Sequence, residues 1–172
     1  MFTQALIDDA ARLLVTLRER RMLLVTVESC TGGLLAGLLT EIPGSSEVIE
    51  GGFVTYSNDA KVAMVGVGAE LITINGAVSE PVARAMAEGA LANSKAQVAI
   101  ANTGVAGPGG GTIAKPVGLV HLAVARVGAA TLHRQCQFGD IGRRSVRWAT
   151  IEAALELAKE ALSDRPASLR LG

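Results

Sequence analysis

Three side chains able to act as nucleophiles, an acid and two glycines occupy six consecutive positions, Glu28-Ser29-Cys30-Thr31-Gly32-Gly33. The apolar run Leu23–Val27 precedes them and Leu34–Leu39 follows, so the hexapeptide reads as the turn between a buried strand and a helix. Free backbone N–H groups and the positive end of a helix dipole suit an anion there. The same residues also make an ordinary capped turn, with Ser29 or Thr31 as N-cap. A serine attacks poorly until a base takes its proton. The two histidines, His121 and His133, fall inside alternating apolar segments and read as sheet residues. A lysine serves instead if burial lowers its pKa from about 10.4 toward 7. Lys61, closing the polar run Tyr56-Ser57-Asn58-Asp59-Ala60-Lys61, is that candidate, while Lys95 and Lys115 read as solvated.

A second loop, Thr103-Gly104-Val105-Ala106-Gly107-Pro108-Gly109-Gly110-Gly111-Thr112, follows another apolar segment. Glycines allow close approach to a ligand, and Thr103 stands at a strand's end, where open α/β sheets bind their ligands. The loop lacks the Gly-Lys-Ser/Thr of a P-loop, and a strand rather than a helix comes next, which excludes a dinucleotide fingerprint. Thr103 to Gly107 reads as site, and Gly109 to Gly111 as a plain connection. Arg143 and Arg147 share one face of the last helix, where a guanidinium fork suits phosphate or carboxylate. Cys30 beside Glu28, with a lysine in reach, resembles the Cys–acid–Lys arrangement of nitrilase-like amidases. A small buried residue is its plainer role.

Positioning these groups requires alternating helices and strands. Helices are expected over residues 3–20, from Leu34 to about Glu41, from Asn58 (as cap) through Met64, over 79–93 and over 143–162. Strands are expected over 23–27, 51–56 and 97–102, with a hairpin of 117–126 and 131–138 turning at Gly128. This pattern predicts α/β: a single domain over 1–172 (core about 5–162), three layers, with a mixed sheet between helices.

The 172 residues carry 16 basic and 16 acidic side chains and only 3% aromatics, which gives no support for nucleic-acid binding. No apolar run reaches bilayer length, and Met1 to Arg21 is too charged for a signal peptide. Two cysteines suggest no disulfide framework, so a cytoplasmic setting is expected.

The ordered motifs Glu28–Gly33, Gly52–Asn58, Lys61, Gly76–Ser79, Thr103–Pro108 and Lys115–Gly118 resemble the CinA C-terminal domain family in its stand-alone form. That family includes bacterial nicotinamide mononucleotide amidohydrolases. The resemblance implies hydrolysis of the carboxamide of nicotinamide mononucleotide, with no metal or cofactor, by a homodimer whose pocket borrows residues from the partner subunit. It implies a serine–lysine dyad at Ser46 and Lys61 with Tyr56 as helper. It also implies a pocket lined by Ser29, Thr31, Gly32, Gly33, Asn58, Thr103, Gly104, Gly107 and Arg143. The family's Gly-Asp-Arg stands here as Gly139-Asp140-Ile141-Gly142-Arg143. Two competing expectations are a silent nucleotide-binding domain and a different amidase using Cys30 or Ser29.

Overall fold

A computed structural model describes residues 2–163. Its elements run α1 (Gln4–Glu19), β1 (Leu24–Glu28), α2 (Leu34–Thr40), a 3-10 turn (Ser45–Glu47), β2 (Ile49–Val54), α3 (Asn58–Val65), α4 (Ala69–Asn75), α5 (Glu80–Ala92), β3 (Val98–Gly104), β4 (Leu119–Arg126), β5 (Leu132–Gln137) and α6 (Arg143–Leu162). The sheet order is β2-β1-β3-β4-β5. β1 runs parallel to β2 and β3, and β4 and β5 close the sheet antiparallel, which makes it mixed as expected. The terminal residues of the 1–172 span lie outside the described region.

The side-chain period of two in a strand divides the core. Leu24, Val98, Ile100, Val120 and Leu122 face α1, α2 and α6. Val25, Val27, Ala99, Ala101 and Ala123 face the layer of α3, α4 and α5. Alanines on that second face let α5 lie close to the sheet. Gly89 then brings α5 against α3, since a Cβ there would collide with the carbonyl of Val65. This contact fixes the helix that carries Lys61.

Three local expectations need correction. Ser57, not Asn58, caps α3, its hydroxyl accepting from the Ala60 N–H at 3.0 Å. Neither Ser29 nor Thr31 caps α2; its N-cap is Gly33 at φ +93°, with no side-chain bond of its own. The short helix α4 has no counterpart in the sequence reading, because Leu71, Ile72, Thr73 and Ile74 form a run without helical spacing.

Candidate active site

β1 and β3 are parallel neighbours whose chains leave in opposite directions, β1 through α2 to the edge strand β2, and β3 toward β4. The carboxyl ends of such strands form a crevice, and both glycine-bearing loops emerge there. Ser29 follows directly on β1 and is held by its N–H to the carbonyl of Asn102, at 3.1 Å. Alternation sends the side chain of Glu28 toward α2 and that of Ser29 to the opposite face, toward α3.

Lys61 meets Ser29 on that face. It is 1% exposed, the largest of the fully buried side chains. Its Nζ lies 3.0 Å from Ser29 Oγ and 2.8 Å from the Thr55 carbonyl. No carboxylate makes an ion pair with it among the described residues. Burial therefore pushes the Lys61 amine below the usual lysine range, against a smaller opposing effect of Cys30. Thr55 O can only accept, so Lys61 Nζ donates to that carbonyl and to Ser29 Oγ. A separation of 3.0 Å between an amine and a hydroxyl is within the reach over which a proton can pass from one to the other.

The expected partner of Lys61 was Ser46, and the structure does not bring them together. Ser46 is exposed in the 3-10 turn before β2, whereas Lys61 lies beyond the far end of that strand. Six residues of strand separate the two by roughly 20 Å. Tyr56 also departs from its expected role. Its phenol is 60% exposed and accepts from Arg143 Nη2 at 2.9 Å, with no bond to the lysine or to either serine.

Arg143 opens α6 and spans the crevice, its Nη1 donating to the Gly107 carbonyl at 2.9 Å. Tyr56, Arg143 and Gly107 thus form one rim. Thr103 stands beside Ser29, one place beyond the paired Glu28 and Asn102, and its hydroxyl donates to the Ala77 carbonyl at 2.9 Å. Gly104 lies tight against Val120 and Leu119, where a side chain would collide. Asn58 is exposed on the outer first turn of α3. Arg147 is not at the rim; its Nη2 donates to the Thr31 carbonyl and braces the turn.

The donors of the turn 28–33 and of the α2 terminus are taken by the chain's own carboxyl group. Glu28, fully buried, accepts from the N–H groups of Gly33, Leu35 and Ala36 at 3.0, 3.0 and 2.8 Å, and from the Thr31 hydroxyl at 2.6 Å. The amino end of α2 is therefore closed to a ligand's phosphate. Cys30 lacks a base: its Sγ faces Asn102 Oδ1 at 3.4 Å, and burial pushes the thiol up to about 12. A Cys–acid–Lys mechanism has no support in this arrangement.

Farther along the same face, His121 Nδ1 and His133 Nε2 share a hydrogen bond of 3.0 Å, and His133 Nδ1 lies 3.4 Å from Glu80. Burial holds both imidazoles below the usual range. His133 and Lys115 add to this at His121, and Arg84 adds to it at His133, while exposed Glu80 pulls the other way. The unfolded chain thus binds protons that the folded pair refuses. Stability from this pair is complete above about pH 6.5 and is lost as pH falls toward the lower folded values. The thermal midpoint should drop between pH 7.5 and 5.0, and a His121→Gln/His133→Gln variant should show a shallower drop in the same calorimetric series.

The chain is thus a three-layer α/β domain with a buried Ser–Lys pair at the carboxyl edge of its parallel strands. The sequence profile of the CinA C-terminal domain matches residues 8–162, and the chain belongs to that family. A CinA-like protein of Mycolicibacterium gilvum is 50% identical over 159 residues, covering 92% of this chain and 36% of the relative. A putative competence-damage inducible protein of Symbiobacterium thermophilum is 62% identical over 109 residues, 63% of this chain and 26% of the relative. The chain thus spans about a third of the length of these curated relatives. Among solved structures, the competence/damage inducible protein CihA from Agrobacterium tumefaciens superposes with a TM-score of 0.91 at 51% identity, covering 94% of this chain and 98% of that one. ComA from Klebsiella pneumoniae gives 0.87 at 32% identity, covering 93% and 99%.

Proposed function

We propose that this domain is an amidohydrolase that converts nicotinamide mononucleotide and water to nicotinic acid mononucleotide and ammonia, with Ser29 as nucleophile and Lys61 as its base. The observation that carries this reading is the buried Lys61 amine, without an ion-pair partner among the described residues, 3.0 Å from Ser29 Oγ. Ser29 Oγ attacks the carboxamide carbon as its proton passes to Lys61 Nζ. The C–N bond breaks while Lys61 returns that proton to the departing nitrogen, releasing ammonia and leaving an ester on Ser29. Water then attacks the ester carbon, giving its proton to Lys61. The ester C–O bond breaks, Ser29 recovers its proton from Lys61, and the acid is free. No step calls for a metal or a cofactor.

Arg143 is the group placed for the phosphate, because the α2 terminus is filled by Glu28. It is already oriented by Tyr56 and Gly107, which limits the side-chain entropy lost on binding. Arg143→Ala should raise KM for the nucleotide at least tenfold while kcat changes little. Tyr56→Phe removes one hydrogen bond, about 1 kcal/mol, and should raise KM about fivefold. Steady-state kinetics against nicotinamide, which lacks the phosphate, should show neither effect.

The exposed outer side of β2, with Val54 44% exposed, suits a second copy that would wall the crevice, so homodimerisation is part of this proposal. Incubating purified protein with nicotinamide mononucleotide and quantifying ammonia and acid product tests the reaction. Tight nucleotide binding without ammonia would make the domain a silent binding module instead.

A further inference from the structure

We infer that Glu28 is a positioning residue for this chemistry: a buried carboxylate that takes the place of a ligand at the amino end of α2 and so fixes the turn that presents Ser29. The inference rests on the Ser29–Lys61 reading and extends it to a residue that touches neither substrate nor base. An ordinary helix start satisfies its orphan N–H groups with a side chain at the N-cap. Here the N-cap is Gly33, and the acceptor is delivered from the preceding strand. All the partners of the carboxyl group are donors: three backbone N–H groups, the Thr31 hydroxyl, and the Thr26 hydroxyl at 3.2 Å. Such an environment matches the acceptor oxygens of a carboxyl group.

The main chain of the same residue reaches the other half of the dyad. Glu28 O accepts the Thr55 N–H at 2.8 Å, and Thr55 O in turn accepts Lys61 Nζ at 2.8 Å. The turn is closed by the Gly32 N–H on Ser29 O at 3.1 Å. Residues 28 to 36 and 55 to 61 are therefore tied to one point. A helix cap alone would need no buried acid on a strand, since a serine or aspartate at the N-cap serves in an ordinary helix.

Glu28→Gln keeps the size of the side chain but puts an NH2 against N–H donors, so the turn must shift to relieve the conflict. Displacements of about 1 Å in a catalytic constellation can cost on the order of 100-fold in rate. The expected result is a folded protein with kcat for ammonia release lowered about 30- to 100-fold and KM within about threefold of wild type. A role confined to folding would lower the thermal midpoint and leave kcat alone. Glu28→Gln with wild-type kcat and KM, measured beside an inactive Ser29→Ala, overturns the positioning role and leaves the dyad standing. An active Ser29→Ala overturns the dyad itself. If Glu28→Gln does not fold, Thr31→Val decides: it removes the hydroxyl that lies 2.6 Å from Glu28 and 3.0 Å from Asn102 Oδ1, and leaves the three backbone donors to Glu28 in place. A several-fold fall in kcat at constant KM supports the inference, and an unchanged kcat overturns it.

Discussion

Ser29→Ala is expected to reduce ammonia release from nicotinamide mononucleotide by at least about 1,000-fold, with nucleotide binding retained. The side chain is small and sits at the end of β1, where its backbone N–H, not its hydroxyl, holds the strand register. Alanine therefore removes the attacking atom without opening a cavity. Ser46→Ala should keep near wild-type kcat and KM, because that residue lies at the opposite edge of the sheet in the turn before β2. Cys30→Ala should likewise keep kcat within a few-fold, since its buried thiol has no base. The three variants assayed together separate three mechanisms. Loss on Ser46→Ala with a fully active Ser29→Ala would overturn the assignment and place the nucleophile on a second copy of the chain.

Much of this site was legible in the sequence. The two glycine-bearing turns at strand ends, Lys61 as the lysine set apart among polar residues, and an arginine at the start of the last helix follow from residue type and spacing, and the structure brings these segments to one edge. Which serine stands beside Lys61 needed one further step. Residues 51–56 read as a strand, and any strand between Ser46 and Lys61 carries them to opposite ends of the sheet. Resemblance outweighed that simple length. Other features lay beyond pattern. Whether Glu28 or Ser29 faces α3 depends on the register at the last residue of β1, since a shift of one position exchanges the faces. The bond between His121 and His133 depends on how the β4–β5 hairpin pairs, which places both rings on the α5 face. The capture of the α2 terminus by Glu28 had a trace in the sequence, an acid ending a strand just before a helix that begins at two glycines. An external anion was the more obvious occupant.

Lys61→Met should separate stability from catalysis. Methionine matches the length of the lysine stem and fills the same buried space, while the amine that accepts the proton of Ser29 is gone. Activity should fall by at least about 1,000-fold, comparable to removal of other general bases that act with a nucleophile. Stability should move the other way. Removing a buried amine that has no ion-pair partner relieves a desolvation cost of about 2–3 kcal/mol. The stranded Thr55 carbonyl offsets about 1 kcal/mol of this, so a net gain of roughly 1–2 kcal/mol is expected near neutral pH. For a domain of this size that is a rise of about 2–6 °C in thermal midpoint. The gain should depend on pH with a fixed sign. Because burial lowers the folded pKa of Lys61, the unfolded chain binds more protons between that value and about 10.4, and the wild type gains stability as pH rises through this window. The advantage of the methionine variant should therefore be largest below the lowered pKa and shrink toward pH 10. The wild-type rate should climb over the low end of the same window, as the amine loses its proton and becomes able to accept that of Ser29. A methionine variant less stable than wild type at neutral pH would show that the ammonium is stabilised where it lies, and the neutral-amine mechanism would fail with it.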